Sequence, residues 1–236
     1  MIVGLTININ LQLNRDMQRV SDIRQKFIDA YRNNNFVIDK SGVKTVELLG
    51  ECFLADEDWI IREPDHAYIL REITWYKRQS LSIEDIPGKI PQIWQSIAST
   101  DNKINSNYGY LVLSRGNYNQ YQNVLKELQQ SPNSRRATMI YNRPSMHYDF
   151  NTNGMNDFIC TYANGFFIRD NKLISHFIMR SNDVVFGYCN DVAWARWIQR
   201  QLAADLNIEV GDLVWFASSL HLYERHFNHV EKLISS

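Results

Sequence analysis

Residues 157–180 read DFICTYANGFFIRDNKLISHFIMR, which is two strand-like stretches joined by a two-residue turn. The stretches run from Asp157 to Arg169 and from Lys172 to Arg180, and both are rich in aromatic and aliphatic residues. Asp170-Asn171 lies between them, and such a pair is typical of a tight turn between antiparallel strands. The sequence therefore predicts a β-hairpin in the second half of the chain.

The segments around this hairpin show both helix and strand patterns. Asn190-Asp191 predicts the cap of a long helix that ends near Asn207, and residues 211–216 predict a buried strand. The other predicted elements are strands over 43–54 and 137–141 and helices over 15–33, 64–79 and 118–130. Because these elements do not alternate as regular βαβ units, we expect an α+β fold with a large mixed or antiparallel sheet.

Composition restricts the class of protein. The 236 residues are 44% hydrophobic and 12% aromatic and carry a formal net charge of -1, which excludes a disordered chain. No Pro/Gly/Ser-rich linker interrupts them, so we expect a single domain spanning residues 1–236. No apolar run approaches the roughly 18 residues of a membrane span, and we expect neither a membrane segment nor a signal peptide.

Charge and cysteine content narrow the expected partners. Lys and Arg number 25 against 26 Asp and Glu, so nothing attracts nucleic acid globally, and an anionic ligand needs a local cationic cluster. The three cysteines, Cys52, Cys160 and Cys189, form no C-x-x-C pair. We therefore expect free thiols, no metal site and a cytoplasmic location.

A few polar residues could carry chemistry, and each has a structural alternative. Cys160 is either a small buried hydrophobe or a thiol whose pKa is lowered by arginines that gather near it. Asp191 could simply cap its helix. Glu72 lies in an otherwise apolar helix face and needs a partner or a raised pKa. His221 and Tyr223 fall on the same side of an extended segment.

Nine short motifs occur in order between about Phe36 and Phe227. They are DKSGVKT (39–45), REITWY (71–76), INSNYG (104–109), SRR (134–136), YNRPSM (141–146), DFICT (157–161), MRSNDVVFG (179–187), ND (190–191) and SLHLY (219–223). With these motifs in this order, the chain resembles the thymidylate synthase family, and within it the phage branch that hydroxymethylates deoxycytidylate. The resemblance leaves residues 1–30 as an extension of unknown role.

The resemblance implies a fold and a reaction. The fold is the thymidylate synthase-like α+β fold, whose large mixed sheet is flanked by helices and packs back-to-back against that of a second subunit in a homodimer. The reaction moves a one-carbon unit from 5,10-methylenetetrahydrofolate to C5 of dCMP, with addition of water and without a metal. Cys160 resembles the family's nucleophile, which adds to C6 of the base. A phage-encoded enzyme of this kind acts in the host-cell cytoplasm.

The resemblance also assigns substrate contacts. Arg180 and Ser181 resemble phosphate ligands, and His221 and Tyr223 resemble the pair that holds the 3′-hydroxyl of the sugar. Three more cationic residues match phosphate positions, two of them supplied by the other subunit and one on a flexible loop. These are Arg135 and Arg136 for the other subunit and Lys40 for the loop.

The remaining assignments concern proton transfer and the folate. Glu72 resembles the glutamate that organises water near the base, and Tyr108 the tyrosine beside the nucleophile. Ile93 and Trp94 are similar to part of a folate-binding surface, and Asp183 to a pterin contact.

Asp191 decides between branches of the family. Thymidylate synthases have asparagine there to pair with uracil, whereas a carboxyl group can accept from the amino group of cytosine and share a proton with N3. Thr161, where histidine is usual, points the same way, while Gly165 replaces a usual glutamine. Action on CMP or dUMP, thymidylate synthesis and a non-catalytic role stay open as alternatives.

Overall fold

The computed structural model describes residues 17–40 and 42–235, and its centre is a six-stranded sheet. The strands are β1 (Val37–Ile38), β2 (Lys44–Leu54), β3 (Thr138–Ile140), β4 (Thr161–Arg169), β5 (Lys172–Asp183) and β6 (Glu209–Tyr223). The helices are α1 (Val20–Arg32), α2 (His66–Arg78), α3 (Gln92–Ile97), α4 (Tyr108–Leu113), α5 (Gln120–Gln130), α6 (Met146–Asp149), α7 (Gly187–Leu206) and α8 (Phe227–Ser235). No helix in these described ranges is long and apolar enough to cross a membrane.

The sheet is mixed, as the α+β prediction requires. Its strand order is β1-β2-β6-β5-β4-β3, with β5 and β6 parallel and every other neighbouring pair antiparallel. The predicted hairpin is formed by β4 and β5, and both turn residues, Asp170 and Asn171, have positive φ (49° and 58°). Two successive left-handed residues give a turn whose twist matches that of the strands. The parallel pair follows from the long helix α7, which connects β5 to β6.

The core lies between the sheet and the helices. Trp194 of α7, Phe177 of β5 and Trp215 of β6 are fully buried, and the last two rings stack with centroids 4.8 Å apart. Gln199 on α7 donates to the carbonyl oxygens of residues 173, 211 and 212, which fastens the helix to the strand ends. Helix and sheet are therefore held by both apolar packing and backbone-directed hydrogen bonds.

The N-terminal segment contributes to this core from Val20 onward. Val20, Ile23 and Phe27 are spaced along one face of α1, and none of them is exposed to solvent. The predicted helix start at residue 15 lies outside the described residues, as do residues 1–14. The part of the extension that the structure describes is thus packed against the sheet.

The predicted cap at Asn190-Asp191 is wrong. Helix α7 begins at Gly187, so Asp191 lies inside its first two turns and its side chain does not cap the helix end. The turn ahead of the helix is held instead by Asp183, whose carboxylate accepts from the amides of Val185 (3.0 Å) and Phe186 (3.3 Å). Because a helix side chain one turn in can face the sheet, Asp191 is available for contacts at the site.

Candidate active site

The thiol of Cys160 lies where two strands of the sheet meet. Cys160 comes directly before β4, and its carbonyl oxygen accepts from the backbone amide of Arg180 at 2.6 Å. The Nη2 of Arg180 lies 3.7 Å from Sγ of Cys160 and 3.3 Å from the carbonyl oxygen of Phe158. The hairpin register therefore brings together a thiol and a guanidinium that are 20 residues apart in the sequence.

The pKa of the Cys160 thiol is determined mainly by burial and less by the neighbouring arginine. Burial raises the pKa of this thiol to about 11, and the charge of Asp191 adds to the effect, whereas the Arg180 guanidinium opposes it. A single arginine is thus outweighed by the low-dielectric surroundings. With a pKa of about 11 the thiol is mainly protonated at neutral pH, so a proton must leave before Sγ can act as a nucleophile.

Asp191 belongs to a hydrogen-bond network built from five elements. Its Oδ1 accepts from the hydroxyl of Tyr108 at 3.1 Å, and its Oδ2 accepts from Nδ2 of Asn182 at 2.7 Å. Tyr108 in turn accepts from the hydroxyl of Thr161 at 2.7 Å, and Trp215 Nε1 donates to Asn182 at 3.2 Å. The network thus connects the carboxyl group of Asp191 to Asn182 and Trp215 of the parallel strands. Through Tyr108 it also connects it to Thr161, the residue after Cys160.

Glu72 is a second carboxyl group in this region. It is 4% exposed on α2, as its place in an apolar face predicts. The hydroxyl of Tyr68 donates to its Oε1 at 2.5 Å, and Trp94 Nε1 donates to that hydroxyl at 2.9 Å. Burial raises the pKa of Glu72 to about 7, and burial together with the charge of Glu72 raises the pKa of Asp191 to about 8. Both groups can therefore exchange protons near neutral pH.

The predicted sugar and phosphate ligands line the ends of β5 and β6. The rings of His221 and Tyr223 are 4.8 Å apart on one side of β6, as their spacing predicts. Burial lowers the pKa of His221, so its imidazole is neutral at pH 7. Ser181 is half-buried beside Arg180, and the parallel register pairs Asp183 with His221.

Four of the predicted residues are exposed to solvent in this chain. Arg135 and Arg136 are exposed in the loop between α5 and β3, where Arg136 forms an ion pair with Glu127 (3.1 Å). Lys40 is exposed next to residue 41, which lies outside the described residues. Ile93, on the short helix α3, is 59% exposed beside the half-buried Trp94.

The structure thus brings together one group of predicted residues: Cys160, Arg180, Ser181, Asp183, Asp191, Tyr108, His221 and Tyr223, with Glu72 and Trp94 at the side of α2 and α3. One participant, Tyr68, was missed. It is four residues before Glu72, a spacing that places both on one helix face and could have signalled the pair. Asn182, within the motif at 179–187, is a buried amide in β5 that donates to Asp191.

Cys52, Cys160 and Cys189 are all free thiols. Within residues 17–40 and 42–235, no group of three or more His, Cys, Asp and Glu side chains could hold a metal ion.

Comparisons with known proteins give consistent similarities. A family profile described as thymidylate synthase matches residues 59–236. Proteins of Enterobacteria phages T4, T2 and T6, each named deoxycytidylate 5-hydroxymethyltransferase, are 47% identical over 219 residues, which cover 90% of this chain and 89% of theirs. The thymidylate synthase of Buchnera aphidicola is 25% identical over 228 residues, covering 92% of this chain and 83% of that protein.

A solved structure supports the fold independently. The thermostable thymidylate synthase A from Bacillus subtilis superposes with a TM-score of 0.70 over 92% of this chain and 84% of that one, at 19% identity. The predicted thymidylate synthase-like fold is confirmed.

Proposed function

The chain belongs to the thymidylate synthase family, and on that basis we propose that it is an enzyme that hydroxymethylates C5 of dCMP, releasing 5-hydroxymethyl-dCMP and tetrahydrofolate. The observation that carries the proposal is the carboxyl group of Asp191, held by Tyr108 and Asn182 in the network that adjoins Cys160. The similarity to phage proteins named for this activity agrees with it. We take residues 1–236 as one catalytic domain that acts in the cytoplasm of the phage's host.

Asp191 suits the Watson–Crick edge of cytosine. Cytosine offers an amino donor and an unprotonated N3, whereas uracil offers the O4 acceptor and an N3–H donor. With a pKa of about 8, the Asp191 carboxyl can hold a proton at neutral pH, share it with N3 and accept from the amino group through its other oxygen. Each oxygen has a further lone pair beyond the hydrogen bond from Tyr108 or Asn182, so the network need not break.

Cys160 supplies the nucleophile. When its thiol loses a proton and Sγ bonds to C6, the electron pair of the C5–C6 double bond moves to C5, which can then attack an electrophilic carbon. A proton at N3, shared with Asp191, stabilises the negative charge that this addition places on the ring. The same S–C6 bond breaks in the last step, which returns the thiol and restores the aromatic base.

Enzymes of this family use methylenetetrahydrofolate, which supplies the one-carbon unit when it is bound. The exposed Ile93 and the half-buried indole of Trp94 form an apolar surface beside Glu72, which fits a flat pterin ring. The carboxylate oxygens of Asp183 accept hydrogen bonds from backbone amides in the turn before α7. A contact with the pterin would be made by the same oxygens.

Glu72 suits the step that distinguishes hydroxymethylation from methylation. After the C5 proton and the folate have left, the base carries an exocyclic methylene, and water must add to it. A carboxyl group with a pKa of about 7 can take a proton from that water while the oxygen of the water bonds to the methylene carbon. Hydride transfer would give a methyl group instead.

The phosphate site suggests a homodimer. Along β5 the buried Phe177 and Met179 alternate with the more exposed Ile178 and Arg180, so Arg180 projects on the side away from the core. On that side, further cationic side chains could bind the same phosphate as Arg180, and we propose Arg135 and Arg136 of a second subunit for this role.

An apolar patch on that side of the sheet supports the same proposal. Ile178 pairs in register with Phe216, and Tyr162 is 41% exposed nearby on β4. The rings of Phe167 and His176 lie 4.9 Å apart, and His176 is 5.8 Å from Phe216. Such an aromatic sheet face gains free energy when a second sheet covers it.

The direct test is incubation with methylenetetrahydrofolate and dCMP, CMP or dUMP, followed by mass analysis of the nucleotide. We expect the mass to increase by one CH2O unit with dCMP alone. A gain of CH2 on dUMP would identify a thymidylate synthase, and no change with any nucleotide would contradict catalysis. The Cys160→Ser variant is the matched negative control.

A further inference from the structure

The direction of the hydrogen bonds between Trp94, Tyr68 and Glu72 is determined by chemistry. An indole N–H can only donate, so the Tyr68 oxygen accepts from Trp94 Nε1 at 2.9 Å. An ionised Glu72 can only accept, so the single proton of the Tyr68 hydroxyl then points to Glu72 Oε1, which lies 2.5 Å away. The three side chains form a one-way relay of donors that ends on a carboxylate oxygen.

The relay is held at both ends. The ring of Trp94 packs edge-on against the buried Trp75, with centroids 5.2 Å apart. Tyr68 and Glu72 are one turn apart on α2, and the guanidinium of Arg71 lies 5.4 Å from the Tyr68 ring. With these neighbours fixed, Tyr68 has little freedom to turn its hydroxyl away from Glu72.

We propose that Tyr68 is a positioning residue for Glu72, which it orients and keeps linked to Trp94 at the folate-binding surface. The inference rests on the proposed function, since Glu72 matters only if it handles the proton of the added water. In the proposed reaction Tyr68 contacts neither the nucleotide ring nor the thiol. It acts through Glu72.

Burial and the hydrogen bonds to Glu72 shift its pKa in opposite directions. Burial disfavours the charged carboxylate, while the hydrogen bonds from Tyr68 and Trp94 favour it, and together they leave the pKa of Glu72 at about 7. The other groups facing this pair are Asp191 of α7, whose charge interacts with that of Glu72, and Tyr76 of α2. Neither replaces the donor that Tyr68 supplies.

Tyr68→Phe removes that donor without changing the ring. In the nucleotide-free protein, carbon-13 NMR titration of labelled glutamate carboxyl groups, with Glu72→Gln to assign the signal, should show the Glu72 pKa raised by about one unit. Trp94→Phe should also raise it, because the indole N–H favours the charged carboxylate as well. Thermal melting checks that each variant is folded.

Tyr31→Phe is the matched control. Tyr31 also donates to a glutamate, Glu231, at 2.6 Å, but this pair lies on α1 and α8 at the surface. Its loss should leave the pKa of Glu72 and the rate of product formation unchanged.

Activity provides a second readout. In Tyr68→Phe the acid limb of the kcat–pH profile should move to higher pH by the same amount, with the KM for dCMP within about twofold of wild type. An unchanged Glu72 pKa in folded Tyr68→Phe would overturn the proposal, whatever the activity. If the pKa moves but wild type makes no 5-hydroxymethyl-dCMP, the relay stands and the proposed function fails.

Discussion

The two sides of the candidate site are built by different means. On the strand side, backbone register aligns Cys160 with Arg180 and places His221 and Tyr223 along β6. On the helix side, side-chain hydrogen bonds join Glu72 to Tyr68 within α2 and Tyr68 to Trp94 of α3. A side chain on the strand side can therefore be substituted while the backbone holds its neighbours in place. On the helix side, substituting one side chain alters the protonation of the group to which it is hydrogen-bonded.

The largest effect is expected on the strand side. Cys160→Ser should lower turnover by about a thousandfold or more, because a hydroxyl forms its anion far less readily than a thiol. The Kd for dCMP should stay the same, since register holds the other ligands. Tritium release from [5-³H]dCMP and equilibrium binding measure the two quantities.

Cys52→Ser is the control for this substitution, because Cys52 is a half-buried free thiol on β2. It should keep wild-type turnover. If Cys160→Ser retains more than about a tenth of the rate, the thiol is not the nucleophile.

A smaller effect tests whether the strand side is completed by a second subunit. Arg135→Ala and Cys160→Ser should each be inactive, yet an equal mixture after subunit exchange should recover about a quarter of the wild-type activity. In a mixed dimer one site combines the intact Cys160 of one chain with the intact Arg135 of the other.

A mixture of Cys160→Ser with Arg180→Ala is the matched control for this rescue. Arg180 lies in the same chain's site as Cys160, 3.7 Å from its sulfur, so mixing should restore nothing. Equal recovery in both mixtures, or none in either, would contradict the shared site.

On the helix side, the raised carboxyl pKa values predict how stability depends on pH. In the folded protein, Glu72 and Asp191 have a pKa of about 7 and about 8, above their values in an unfolded chain. The folded state thus binds more protons, so this contribution is fully present below about pH 4 and is lost as pH rises through 7 and 8. Each group changes the unfolding free energy by at most about 1.4 kcal/mol per pH unit.

Asp191→Asn should therefore lose less melting temperature than wild type between pH 6 and pH 9. Asp212→Asn, at an exposed position on β6, should behave as wild type does. Parallel curves for Asp191→Asn and wild type would mean that Asp191 is already ionised in the folded protein at pH 6.

The strand side and the placing of Glu72 on a helix were predictable from the sequence, whereas the hydrogen bonds that link the helix side were not. Alternating and apolar patterns locate β2, β4 and β5, and the Asp170-Asn171 turn predicts their hairpin, because these features depend on local spacing. The resemblance named Cys160 and Arg180 as site residues from their motifs alone.

The errors arise where contacts between distant elements decide the outcome. Asp191 was interpreted as a possible cap because a local rule cannot see that α7 starts four residues earlier. The sequence left open whether arginines lower the pKa of Cys160, and in the structure burial outweighs the one arginine that reaches the thiol. The Tyr68 hydroxyl bridges α2 and α3, and no spacing in the sequence predicts that Trp94 reaches it.

In the proposed reaction Asp191 selects cytosine, and the ratio of kcat/KM for dCMP to that for dUMP measures this selectivity. Asp191→Asn keeps the shape of the side chain, but its amide has one acceptor oxygen where the carboxyl group has two. It can keep the hydrogen bond from Tyr108 or the one from Asn182, and it offers an NH2 donor at the other position. The ratio should fall by about a hundredfold or more, since a mismatched polar edge can cost up to about 10⁴-fold. An unchanged ratio in a variant that melts as a folded protein would contradict the claim.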